Sequence, residues 1–125
     1  MNLLLDSHAL LWALHDPERL TPVARDAISD PRRAVFFSAA SVWELALKAA
    51  KGKLTLPPDW PTATATMDFV ELAITAHDAH ASAHLPWHHA DPFDRLLVAQ
   101  ARLRDLQLAS RDPLLAAYDV PILVV

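Results

Sequence analysis

Short apolar runs alternate with amphipathic stretches along the whole chain, and this alternation constrains the fold more than any other feature. Asn2-Leu3-Leu4-Leu5 reads as a buried strand that stops on Asp6, and a helix follows from Ser7 to His15 with Leu10, Leu11 and Leu14 at helical spacing. Pro17 and Pro22 interrupt the chain, and a second helix runs from Pro22 to Ser29, where Asp30-Pro31 ends it. Ala34 to Ser38 is a second strand. The helix after it spans Ala39 to Lys51, with Val42, Leu45, Ala46 and Ala49 on one face and Gly52 as its C-terminal stop. Residues 56–61 are proline-rich and read as a loop, with a short helix beyond. Val70 to Ile74 is a third strand, and Thr75 caps a helix that reaches His84. Asp91-Pro92 opens a helix to about Asp105, Leu108 to Ser110 is a fourth strand, Asp112-Pro113 opens a short helix, and Ile122 to Val125 is a fifth strand. The expected class is α/β: a parallel five-stranded sheet with helices on both faces. In such sheets ligands bind beyond the carboxyl ends of the strands, where strand order reverses.

The 125 residues fit one domain, 1–125, and the 53% apolar and 21% charged content fits a folded core. A single glycine, Gly52, excludes the three-glycine dinucleotide fingerprint, the P-loop and the serine-hydrolase elbow. The absence of cysteine excludes disulfides and thiolate metal sites and is consistent with a cytoplasmic protein. Asp6 and His8 interrupt the apolar N-terminus, which lacks a basic leader and so does not read as a signal peptide. No run approaches the roughly 18 to 20 apolar residues of a membrane helix. A net charge of −4 argues against a protein that coats nucleic acid through a basic face. It leaves room for a nuclease, because a bound metal brings positive charge to the site.

Four acids stand out: Asp6, Glu44, Asp94 and Asp112. Asp6 and Asp112 lie just past strands, Glu44 lies in the helix after strand two, and Asp94 lies in the first turn of the helix before strand four. Gathered together, they would form an oxygen-rich pocket for a hard divalent cation. Each also has a local explanation. Asp6 and Asp112 are able N-caps, Asp94 suits a helix dipole, and Glu44 can pair with Lys48 one turn on. Asp91 is fully explained as a cap before Pro92 and is set aside. Asp-Pro occurs four times (16–17, 30–31, 91–92, 112–113), so that dipeptide alone carries little information.

The stretches LLLDSHALLWAL at 3–14, FFSAASVWELALKAAKGKL at 36–54, LPWHHADPFDRLLVAQA at 85–101 and LASRDPLLAAYDVPIL at 108–123 make the chain resemble the PIN-domain family, in particular the VapC-type ribonuclease toxins. DPFDRLL together with SxWE is the specific part of the likeness. The resemblance implies a metal-dependent endoribonuclease using Mg²⁺ or Mn²⁺, with Asp6, Glu44, Asp94 and Asp112 as catalytic and metal-holding acids. Asp6 and Asp94 are then the expected closest ligands, with Asp112 and Glu44 direct or through water. Ser7 and Ser110 stand where the family often has threonine. Together with Lys48, Arg95 and Arg111 they are the expected substrate contacts, the cations orienting RNA phosphates. The likeness also implies an RNA substrate such as transfer or ribosomal RNA, a cognate VapB-type antitoxin lying over the active-site groove, a homodimer and no membrane. Leu10, Leu11, Trp12, Trp43 and Leu47 are candidate apolar contacts, with burial in the core as the alternative.

A second reading uses the seven histidines. His77, His80 and His84 fall at i, i+3 and i+7 on one helix face, with His88 and His89 nearby, which suits a zinc-binding or non-enzymatic interaction module. No HExxH motif supports zinc-protease chemistry.

Overall fold

Leu3, Leu4 and Leu5 are all fully buried in the computed structural model, which describes residues 1–125, because the strand that carries them is central and covered on both faces. The elements run β1 (Leu3–Leu5), α1 (Ser7–His15), α2 (Pro22–Ser29), β2 (Val35–Ser38), α3 (Ala39–Ala50), α4 (Trp60–Thr66), β3 (Val70–Leu72), α5 (Ala76–Ala83), α6 (Pro92–Leu103), β4 (Gln107–Ser110) and β5 (Ile122–Val124). Single 3-10 turns occupy Pro17–Arg19 and Pro113–Ala117. The sheet order is β3-β2-β1-β4-β5, and every pairing is parallel. The expected α/β class and five parallel strands are observed. Third-strand pairing ends two residues earlier than expected, at Leu72.

Alternation along the strands sorts the core into two layers. Leu3, Leu5, Val35, Phe37 and Ala109 face a cluster built with Ala9, Leu10 and Trp12 of α1, Ala24 and Ile28 of α2, and Leu45 of α3. Leu4 and Leu108 face the other side, against Leu97, Val98 and Ala101 of α6. Each fully buried leucine contributes about 2 kcal/mol by leaving water. A central strand loses this on either face, so polar residues are displaced to the strand ends.

Local signals start and stop the helices. Thr75 and Asp78 form a reciprocal capping box on α5. Gly52 adopts φ +73° after α3. Its N–H bonds to the Ala49 carbonyl at 3.0 Å and the Lys53 N–H to the Lys48 carbonyl at 2.9 Å, the paired closure of a Schellman turn. No helix is long and apolar enough to cross a membrane.

Candidate active site

Strand order turns back at β1, with β2 and β3 on one side and β4 and β5 on the other, so the carboxyl ends of β1 and β4 open a crevice. Asp6 directly follows β1, and Asp112 follows β4 after Ser110 and Arg111. α3 brings Glu44 and α6 brings Asp94 to the same edge. All four acids line one cavity of about 280 Å³, and none of its lining residues is apolar.

Each acid is held by named donors. Asp6 is 5% exposed, and one of its oxygens accepts the Ala9 N–H at 2.8 Å, capping α1. Glu44 is 7% exposed; one oxygen accepts the Ser7 hydroxyl and the other meets Lys48 Nζ at 2.9 Å. Asp112 Oδ1 accepts the Leu114 N–H at 3.0 Å, leaving Oδ2 toward the cavity. Asp91 caps α6 through the Phe93 N–H at 2.8 Å, and it too lines the cavity.

His89 is the residue that sequence reasoning underweighted. Its Nδ1 accepts the Asp91 N–H at 3.0 Å, so the ring proton resides on Nε2. Nε2–H then lies 2.7 Å from Asp112 Oδ2 and 3.2 Å from Asp94 Oδ2, joining the third and fourth acids. The ring is therefore a hydrogen-bond donor to the two carboxylates. Its main chain is fixed as well, with His89 N–H donating to Tyr118 Oη at 3.1 Å. His89, Asp94 and Asp112 form the one group of three candidate metal ligands with atoms within 4.8 Å of one another.

Burial drives the electrostatics. It raises the Asp94 carboxyl to about 7, helped by the charges of Asp91, Glu44 and Asp6 and opposed by His89. Burial also raises Asp6, against the Ala9 N–H and the Ser110 hydroxyl. For Asp112, burial alone would raise the carboxyl, but the Leu114 N–H and the His89 ring outweigh it and hold it below the usual range. A cluster of oxygen donors, two of them held above the usual carboxylate range by burial, is chemically suited to a hard divalent cation. The donor set fits Mg²⁺ or Mn²⁺.

The other expected site residues divide. Lys48 and Arg111 line the cavity with Ser7 and His8. Ser7 and Ser110 are 4% and 1% exposed, and both hydroxyls serve neighbours within the site: Ser7 holds Glu44, while Ser110 supports Asp6 and accepts the Asp112 N–H at 3.1 Å. Arg95 departs from expectation. It is 3% exposed, and its guanidinium donates to the carbonyls of Ser82, Leu85, Pro86 and His89 and to Tyr118 Oη at 2.8 to 3.3 Å. Its other face stacks on Trp87 at 3.7 Å. Both terminal nitrogens are engaged and the side chain is buried, so Arg95 clamps the loop that carries His89 and is not placed to meet a phosphate. The charge beside Asp94 in sequence gave no sign of this, since its acceptors are main-chain carbonyls.

Two further expectations are corrected. His77 and His80 are exposed on α5 and His84 is exposed at its C-cap, and the three do not converge as ligands; His84 Nδ1 instead meets the His80 carbonyl at 2.9 Å. Leu10 and Trp12 are core residues, so of the candidate apolar contacts only Trp43 is exposed, edge-on to Phe93 at 5.0 Å, with Leu11 and Leu47 half-buried.

Solved structures share this architecture. A chain of a toxin–antitoxin complex from Klebsiella pneumoniae is similar, with TM-score 0.67, 20% identity, and coverage of 98% of this chain and 97% of that one. A chain of FitAcB from Neisseria gonorrhoeae gives 0.65 and 23%, covering 98% and 96%. A chain of VapBC2 from Rickettsia felis, bound to a DNA fragment from its promoter, gives 0.69 and 10%, covering 98% of each. No curated protein matches the chain. Residues 3–121 match the sequence model of the PIN domain, so a strand-edge carboxylate cluster and a near-complete match agree: this chain belongs to the PIN-domain family.

Proposed function

We propose that this protein is a VapC-type toxin, a metal-dependent endoribonuclease of the cytoplasm that acts as a homodimer and is restrained by a cognate VapB-type antitoxin. One observation carries the reading: four carboxylates from four separate elements meet in a single cavity without apolar lining, at the switch point of a PIN-domain sheet. The antitoxin partner is supported by the toxin–antitoxin complexes among the similar structures.

Asp6 and Asp94 are the closest candidate ligands for Mg²⁺ or Mn²⁺, with Asp112 and Glu44 direct or through water. Such an ion supplies Lewis-acid chemistry to a phosphodiester. The chain's own groups prepare the site. Ser7 and Lys48 fix the two oxygens of Glu44. His89 holds Asp94 and Asp112 at a set separation. Arg111, exposed at the rim, is free to orient a phosphate.

The test is to express the protein without an antitoxin and sequence RNA ends, beside Asp6→Asn. Defined new ends that vanish in the variant are expected. Equal ends from a cleanly folded Asp6→Asn would overturn the assignment.

A further inference from the structure

We propose that a trough running from the acidic cavity along α1 binds the phosphodiester backbone of the RNA strand, through Arg19, Lys53 and Arg111. This rests on the nuclease reading and adds the path of the substrate. The trough has a volume of about 560 Å³ and shares His8, Lys48 and Arg111 with the acidic cavity, so the two are continuous. None of the residues lining it is acidic, although the chain has 15 acids against 11 lysines and arginines.

The cations are placed by the fold. The Arg19 and Arg111 guanidinium carbons lie 5.1 and 4.8 Å from the ring of Trp12, which is itself 4% exposed. A buried indole thus sets where two long side chains stand. Lys53 comes directly after the left-handed Gly52, whose turn closes α3 and brings Lys53 to the trough beside Lys48.

These charges are largely uncompensated. Lys48 is engaged by Glu44 at 2.9 Å, and Arg19 meets Asp16 only loosely at 3.7 Å, with its own side chain 60% exposed. Lys53 and Arg111 belong to no ion pair. A clustered acid site repels a polyanion. Cations at its rim offset that repulsion by holding the phosphates that flank the one entering the cavity. Half-buried Leu11 and Leu54 line the trough and offer apolar surface to sugars and bases.

The probe is a fluorescent single-stranded RNA, bound in EDTA to wild type, Arg19→Gln, Lys53→Gln and Arg111→Gln over a range of KCl, with Arg25→Gln as a surface control. Each trough variant is expected to weaken binding several-fold and to flatten the plot of log affinity against log salt by about 0.7 for each phosphate no longer neutralised. Arg25→Gln is expected to leave both unchanged. Wild-type affinity and slope in all three trough variants would overturn the proposal. So would loss of binding to a co-expressed protein partner with RNA binding intact, which would assign the trough to protein. A parallel cleavage assay separates the two readings. RNA bound through the trough but never cut sinks the nuclease reading alone; RNA cut equally by every variant sinks the trough alone.

Discussion

Replacing Asp94 by asparagine is expected to inactivate the site and stabilise the metal-free protein. Asp94 titrates at an ordinary 3.8 when unfolded and at about 7 when folded. At about 1.4 kcal/mol per pH unit, that gap corresponds to about 4 kcal/mol of folding free energy lost once the buried carboxyl must ionise. The sign follows from proton uptake. Between pH 3.8 and about 7 the folded state holds a proton that the unfolded state has released, so stability falls as pH rises through this window and levels off above it. Asp6 after β1, Glu44 and Lys48 on α3, His89 and Asp91 before α6, and Arg111 and Asp112 after β4 all face this carboxyl across the cavity. Asparagine keeps the shape and still accepts from His89 Nε2–H, but it never ionises.

Urea unfolding in EDTA at pH 5 and pH 8 measures the effect. The variant's margin over wild type should be about 1.5 kcal/mol at pH 5 and about 4 kcal/mol at pH 8. Saturating Mn²⁺ should shrink the margin at pH 8, because only wild type retains the full ligand set; a ligand at about 100 times its Kd adds about 2.7 kcal/mol. A margin that stays constant with pH, or a variant less stable than wild type at pH 8 in EDTA, would refute the reasoning.

Two other perturbations probe the supports of the site. His89→Ala removes the donor shared by Asp94 and Asp112 and should weaken Mn²⁺ binding by about 10- to 100-fold in calorimetry. His89→Gln, which keeps an N–H donor, should restore part of the loss, and unchanged or tighter binding in His89→Ala would contradict the role. Arg95→Lys cannot reach carbonyls from Ser82 to His89 at once, so it should cost at least about 3 kcal/mol in urea melts. A change under about 1 kcal/mol would show that the clamp is dispensable.

What could be read in advance follows from the range of the forces. Leu3-Leu4-Leu5 announced a buried strand because both faces need apolar side chains, and Thr75, Asp91 and Asp112 announced helix starts because capping is local. Arg95 was not legible, since its acceptors are carbonyls up to thirteen residues away, in the last turn of α5 and on the irregular loop after it. His89 escaped for a related reason. Helical spacing drew attention to His77, His80 and His84, whereas the imidazole that reaches the acids sits in a loop without periodicity. The trough was equally hidden: Trp12 reads as a candidate apolar contact or a core residue, and nothing in the chain says that Arg19 and Arg111, 92 positions apart, meet at its ring.

The same local chemistry separates the acids from one another. Asp6, Asp91 and Asp112 each accept a main-chain N–H at a helix start, which fixes one carboxylate oxygen and favours its charge. Glu44 takes a hydroxyl and a lysine instead. Asp94 follows a cap that Asp91 already supplies, so it lies in the first turn of α6 with no main-chain donor, and its one polar partner is the His89 ring. Glu44 also lacks a main-chain donor, but Ser7 and Lys48 hold both its oxygens, whereas Asp94 has neither kind of support and its carboxyl is raised to about 7. Capping does not by itself keep an acid ionised, because burial raises Asp6 despite the Ala9 N–H; what sets Asp94 apart is that burial and three neighbouring carboxylates act on it with only the His89 ring opposing them. A backbone donor engineered to Asp94 would therefore be expected to lower its carboxyl and relieve the cost of ionising it in the metal-free protein.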